Sequence, residues 1–228
     1  MGKNDNSNNG RAELVFVVDR SGSMGGLESD TIGGFNSMLS KQRTIAGECR
    51  VTTLLFDHRI ETLHNHLDIR EVNDLTSRDY WVRGSTALLD AIGLAIDRMI
   101  VTQRHTAAAY RAQHVLFVII TDGYENASRR YSLHQIKQMI TYERERYHWE
   151  FVFLGANIDA EQTAGDFGIS PRCATDFHAD GQGIKASFEA VACAATAVRG
   201  GADLEDLNAP DFLGGVRDDY RSRRRMKR

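Results

Sequence analysis

Three stretches of the chain are apolar without interruption: "LVFVV" at 14–18, "VLFVII" at 115–120 and "FVFL" at 151–154. Continuous apolar runs of this length, rather than alternating ones, predict strands buried on both faces, the signature of a parallel sheet covered by helices. The intervening segments carry the matching helical period. Ile32, Phe35 and Leu39 share one face, Leu89, Ile92, Ile96 and Met99 a second, and Leu133, Ile136 and Ile140 a third. Two further strands, 51–56 and 60–67, are separated only by Asp57, His58 and Arg59, too short for a crossover, so they form an antiparallel hairpin. The second arm, "IETLHNHLD", is polar on both faces, as an edge strand is. A last strand and helix are expected between 173 and 199. The pattern is α/β: a doubly wound, mostly parallel sheet with one antiparallel edge strand and helices on both faces.

A chain of 228 residues suits one such domain, placed at 12–200. It is preceded by a polar leader at 1–11, read as disordered, and followed by a C-terminal extension, 201–228, where the apolar rhythm fades into a basic tail. The net charge of −3 gives no global reason for binding nucleic acid or an anionic membrane. No run approaches the roughly 18 apolar residues of a membrane span, and "MGKNDNSNNG" lacks the apolar core of a secretory signal. Cys49, Cys173 and Cys193 are odd in number and widely spaced, which suits reduced thiols in a cytoplasm.

In a doubly wound sheet, ligands sit at the carboxyl ends of strands where the connections diverge. Asp19 ends the first apolar run and Asp122 follows "VIIT" at the end of another. After Asp19 come Ser21 and Ser23, whose alternate spacing lets them converge with it on one point. Gly22, Gly25 and Gly26 let the backbone bend. "DRSGSMGG" by itself reads equally well as a turn capping the next helix. Joined by Asp122 and by Thr86 in "RGSTALLDAIG", it becomes a set of five hard oxygen donors without histidine or cysteine. That chemistry argues against zinc, copper and iron and for magnesium or manganese; calcium ordinarily recruits more carboxylates. Catalytic residues are not identifiable: the G-x-S-x-G elbow and the Walker A loop are absent, and no histidine is placed to activate a serine. His64 and His66, alternating on the edge strand, read as an exposed strand face rather than a metal pair. Asp90, Glu125 and Asn126 read as helix-capping groups near the site, with contact to the metal shell or to a partner as the alternative.

"DRSGSM", Thr86 in "GST" and Asp122 in "TDG" resemble, in order and residue type, the three parts of the metal-ion-dependent adhesion site (MIDAS) of von Willebrand factor A domains. The resemblance covers 12 to about 200, and "ITDGYENAS" and "FVFLGANIDA" are similar to compact bacterial members. It implies a Rossmann-like fold in which Asp19, Ser21, Ser23, Thr86 and Asp122 hold magnesium or manganese, partly through water. It implies an Asp or Glu carboxylate from a protein partner as a further ligand, and a last helix (about 184–199) that shifts when the partner binds. The expected function is a metal-dependent protein-binding module of a bacterial, cytoplasmic multiprotein system. The alternative is a magnesium-dependent hydrolase of phosphate esters, for which Glu125 is the only nearby base. The tail 221–228, with six basic residues of eight, is a solvated end or a salt-sensitive contact with an acidic partner or nucleic acid.

Overall fold

Strand β1 (Ala12–Asp19) is central to the sheet and buried along its whole length. In the computed structural model, which describes residues 10–226, β1 is flanked on one side by β2 (Cys49–Phe56) and on the other by β4 (His114–Thr121), both parallel to it. β3 (Ile60–Asp68) pairs antiparallel with β2 at the edge. β5 (Glu150–Gly155) and the short β6 (Ala174–Asp176) extend the parallel sheet beyond β4. The six-stranded order is β3-β2-β1-β4-β5-β6. The chain therefore leaves β1 toward one side and later returns to its other side, which makes the β1/β4 boundary the switch point.

Helices α1 (Glu28–Arg43) and α5 (Gly181–Arg199) pack together on one face. Helices α2 (Leu88–His105), α3 (Leu133–Tyr147) and α4 (Ala160–Phe167) cover the other. The side chains of 14–18 and 115–120 are essentially inaccessible, as their unbroken apolar character requires. Phe16, Phe35 and Phe188 carry the core from the sheet through α1 to α5, with ring centroids 5.3 and 6.3 Å apart. Among the described residues no helix is long and apolar enough to cross a membrane.

Three features depart from the sequence reading. Helix α4, too short to show a repeating period, was not anticipated; Asp159 caps its start and Gly168, at φ 83°, ends it. His64 is buried rather than exposed. A bulge lies between the paired residues Val51 and Thr53, and His66 adopts φ 55°. Strict alternation is thereby broken, and His64 stacks on Phe35 and hydrogen-bonds Thr53. Beyond Arg199 the chain is not featureless: α6 (Gly214–Met226) packs against α5 and β6, with Leu204, Leu213 and Val216 buried. Arg217 on α6 donates to the carbonyls of Pro171, Arg172 and Ala174, and Arg223 pairs with Asp180. Those contacts are made by a strongly charged helix, which is why hydropathy alone does not reveal it. Residues 1–9 of the expected leader, and Lys227 and Arg228 of the basic tail, lie outside the described residues.

The α1–α5 layer is locked at its far end by one buried cation. Arg199 donates 2.6 Å to the carbonyl of Gln42 and 2.9 Å to that of Ile45, capping the carbonyl end of α1. Arg199→Ala is expected to lower unfolding stability by about 3 kcal/mol, because charged hydrogen bonds are lost and buried acceptors are left unpaired. Urea denaturation measures it; a change under ~0.5 kcal/mol would show that water replaces the guanidinium at no cost.

Candidate metal centre

The switch point brings four of the five donors into a hydrogen-bonded chain. Asp19 ends β1 beside Thr121, the last residue of β4; Thr121 Oγ1 donates 2.6 Å to Asp19 Oδ2, while the Ser21 amide donates 2.7 Å to Oδ1. Ser21 Oγ lies 3.0 Å from Ser23 Oγ, and Ser23 Oγ donates 2.6 Å to Asp122 Oδ1. Thr86, the fifth donor, arrives from a separate loop. The side chains of Ser23 and Thr86 both face Gly123, where a β-carbon would lie 3.4 and 3.6 Å from their hydroxyl oxygens. Asp19, Ser21, Thr86 and Asp122 are buried, and Ser23 is exposed, so the cluster opens to solvent on the side of Ser23.

The loops that present these groups are braced to one another. The Gly22 amide donates to the Gly84 carbonyl at 3.1 Å, and the Arg83 amide to the Arg20 carbonyl at 2.9 Å. Gly84 sits at φ 67°, where a β-carbon would clash with His58 Nδ1, so both conformation and space favour glycine. Tyr80 Oη donates 2.5 Å to the carbonyl of Asp19. Asn126 Oδ1 accepts from the Thr86 amide, and the Asn126 and Ala127 amides donate to the Thr86 carbonyl. Asp90 accepts from the amides of Arg129, Arg130 and Tyr131. Asp90 and Asn126 are thus loop braces. Glu125 has the same role: its carboxylate accepts from the amides of Leu89, Ala127 and Ser128 and from the Ser128 hydroxyl. A carboxylate engaged four times is poorly placed to act as a general base.

Electrostatics single out the two aspartates. Burial pushes Asp19 up to about 6, against the opposing hydrogen bonds of Thr121 and Ser21 and with a small contribution from Asp122. Burial likewise raises Asp122, with Ser23 acting against it. Asp122 Oδ2 is buried with no hydrogen-bond partner among the described residues. A buried carboxylate oxygen without a donor is costly, and two desolvated acids beside three hydroxyls form a donor set suited to a hard divalent cation. Among the described residues no group of three or more His, Cys, Asp and Glu side chains could hold a metal; the cluster depends on hydroxyls as well as carboxylates.

Thr121 and the arginine network around Asp57 were missed by sequence reasoning. Asp57, buried at the β2–β3 turn, accepts from Arg20 Nε at 3.1 Å, Arg83 Nε at 2.8 Å and the Arg59 amide at 2.7 Å. Burial would raise its pKa, but these donors hold it below the usual carboxylate range. Arg83 also stacks over Trp81, 4.2 Å from the ring centroid. The signal for Thr121 was present in the register: Val18 pairs with Ile120, which sets the next residues of the two strands side by side.

No family model matches the chain, and no curated protein matches it in sequence. Solved structures do match in shape. Proximal thread matrix protein 1 from the mussel byssus, in a structure with a zinc-occupied MIDAS motif, superimposes with a TM-score of 0.57 at 15% identity, over 82% of this chain and 46% of that one. Manganese-loaded TRAP from Plasmodium vivax gives 0.52 at 16% identity, over 78% and 72%. The fold is von Willebrand A-like. At these identities the likeness is one of fold, and the chain spans less than half the length of the mussel protein.

The raised pKa of Asp19 fixes the sign of a pH effect. The folded chain holds this proton up to about 6, whereas the unfolded chain releases it near 3.8. Stability in chelator therefore falls as pH rises between those values. Asp19→Asn is expected to match wild type near pH 4 and to exceed it at pH 7 by on the order of 2 kcal/mol. Denaturation with chelator across that range tests this, and equal stabilities at pH 7 would show that burial of this carboxylate carries no cost.

Proposed function

We propose that this chain is a metal-dependent protein-binding module in which Asp19, Ser21, Ser23, Thr86 and Asp122 hold one divalent cation of the magnesium or manganese type. The observation that carries this reading is the orphaned, buried Asp122 Oδ2 at the end of a chain of hydroxyls and carboxylates on the switch point. A bound cation would supply a Lewis-acidic centre able to take a carboxylate from an Asp or Glu of a protein partner. This chain's own part is positional. Thr121 and the Ser21 amide fix the two oxygens of Asp19, the Asn126 and Glu125 braces fix the Thr86 loop, and exposed Ser23 leaves the outer side accessible.

Two carboxylates roughly balance a divalent charge, so a partner's carboxylate is a favourable addition rather than a competitor. The zinc-occupied and manganese-loaded states of the two structurally similar proteins support a metal here by analogy of fold. The engagement of Glu125 in four hydrogen bonds speaks against phosphate-ester hydrolysis, the other chemistry considered for the same cluster. The setting we propose is a bacterial cytoplasmic assembly. Cys49, Cys173 and Cys193 are all free thiols, which suits a reducing compartment.

Thermal unfolding with magnesium, manganese or calcium against chelator, on wild type and Asp122→Ala, tests the metal. A saturating cation is expected to raise the wild-type midpoint by about 5 °C, from the linkage and entropy expected of a domain this size, and to leave the variant unmoved. No shift in wild type at millimolar metal would overturn the reading.

A further inference from the structure

At the opposite end of the sheet from the metal centre, the second halves of α2 and α3 and the segments leading into β4 and β5 line a half-open cavity of about 170 Å³. Its wall is aromatic. Tyr142 and Tyr147 stand with ring centroids 6.0 Å apart at 67°, and Tyr147 and Trp149 at 6.5 Å and 43°. Trp149 is held rigid from behind by Phe117, stacked at 5.5 Å. Tyr142 and Tyr147 nonetheless remain 56% and 52% exposed. Two large rings left open beside a rigid indole form a ready surface for an apolar body.

The charges around this wall are divided. Glu143 lines the cavity at 3% exposure; its backbone carbonyl accepts from the Trp149 amide at 3.3 Å, while its carboxylate receives no hydrogen bond among the described residues. Its burial raises its pKa, and the attraction of Arg104 opposes that rise. Arg104, exposed on α2, also lines the cavity, yet it makes no ion pair with Glu143. Arg111 stands beside it, oriented by an Nε donation of 2.9 Å to the Thr106 carbonyl. An acid and two guanidinium groups thus line one small aromatic cavity with no ion pair closed between them.

A simple cation would satisfy Glu143 but meet two like charges, and a simple anion would satisfy the arginines but meet a buried acid. A ligand carrying both charges on an apolar body satisfies all of them. We infer that this cavity binds a small zwitterion, a free amino acid with an aromatic or branched aliphatic side chain. Its ammonium bonds Glu143, its carboxylate faces Arg104 and Arg111, and its side chain lies against Tyr147 and Trp149. The volume is of the right order, since a 150 Å³ apolar cavity accommodates benzene. The inference is independent of the metal reading.

The test is calorimetry and tryptophan fluorescence on the full chain carrying Trp81→Phe, so that Trp149 is the only reporting indole. The probes are L-phenylalanine, L-leucine, phenethylamine, which lacks the carboxylate, and 3-phenylpropionate, which lacks the amine. L-phenylalanine or L-leucine is expected to bind with millimolar or better affinity, and both truncated probes about tenfold or more weaker, as for loss of a charged hydrogen bond. Glu143→Gln, nearly isosteric, should weaken the amino acid by a similar factor while its thermal midpoint without ligand stays near that of the parent. Arg104→Gln should do so through the carboxylate, leaving phenethylamine unchanged. No binding of either amino acid at about 10 mM, equal binding of phenethylamine and phenylalanine, or undiminished binding by Glu143→Gln would each overturn the inference.

Discussion

The parallel pairing of β1 with β4 is the constraint on which the rest of the structure depends. It brings the ends of two fully buried strands into register, Val18 opposite Ile120, and so sets Asp19 beside Thr121 and close to Asp122. No sheet gains stability from placing two desolvated acids together. Burial raises both of them, and one buried oxygen of Asp122 is left without a donor. The strands can hold the acids there because their remaining residues are among the least accessible of the molecule. Apolar burial along β1 and β4 outweighs a local electrostatic cost that is concentrated at their carboxyl ends.

The neighbouring carboxylate, Asp57, shows the contrast. It is as deeply buried as Asp19, but two arginines and a backbone amide hold it in its ionised form. Its charge is therefore answered within the chain. Arg20 follows Asp19 directly in sequence, yet its Nε turns to Asp57, and its Nη2 approaches Glu61 at 2.8 Å. Asp19 and Asp122 have only hydroxyl and amide donors. One buried acid with cations and two without mark a division of labour. The first arrangement secures the connections; the second keeps negative charge available for something outside the chain.

Much of this was legible in the sequence because the relevant signals are local. Continuous apolar runs gave the central strands, the "DHR" turn gave the hairpin, and the apolar period gave α1, α2 and α3. The donors Asp19, Ser21, Ser23 and Asp122 could be gathered because two strand ends and one tight turn position them. Tertiary contacts were the hidden part. Thr121 mattered only through register, and the arginines around Asp57 only through loops that meet in space. His64 turned inward because of a bulge. The charged helix α6 is attached by Arg217 to three backbone carbonyls and by Arg223 to Asp180, contacts that hydropathy does not report.

The amino edge of the same sheet offers a different setting for the second binding place. The connections at the carboxyl edge are tied to one another through Gly22–Gly84, Arg83–Arg20 and Asn126–Thr86, with the open cluster among them and an apolar groove lined by Leu88, Leu133 and Phe167 beside it. At the amino edge, β4 and β5 begin beneath the ends of α2 and α3, and Phe117 supports Trp149 from inside the core. A rigid aromatic wall can form there because the core itself backs it. Hard-ion chemistry suits the edge where the donor loops converge, and aromatic stacking suits the edge where the core backs a ring. With the sheet about eight residues long at β1 and β4, the two ends are separated by the full depth of the core, so an occupant at one does not touch the residues that serve the other.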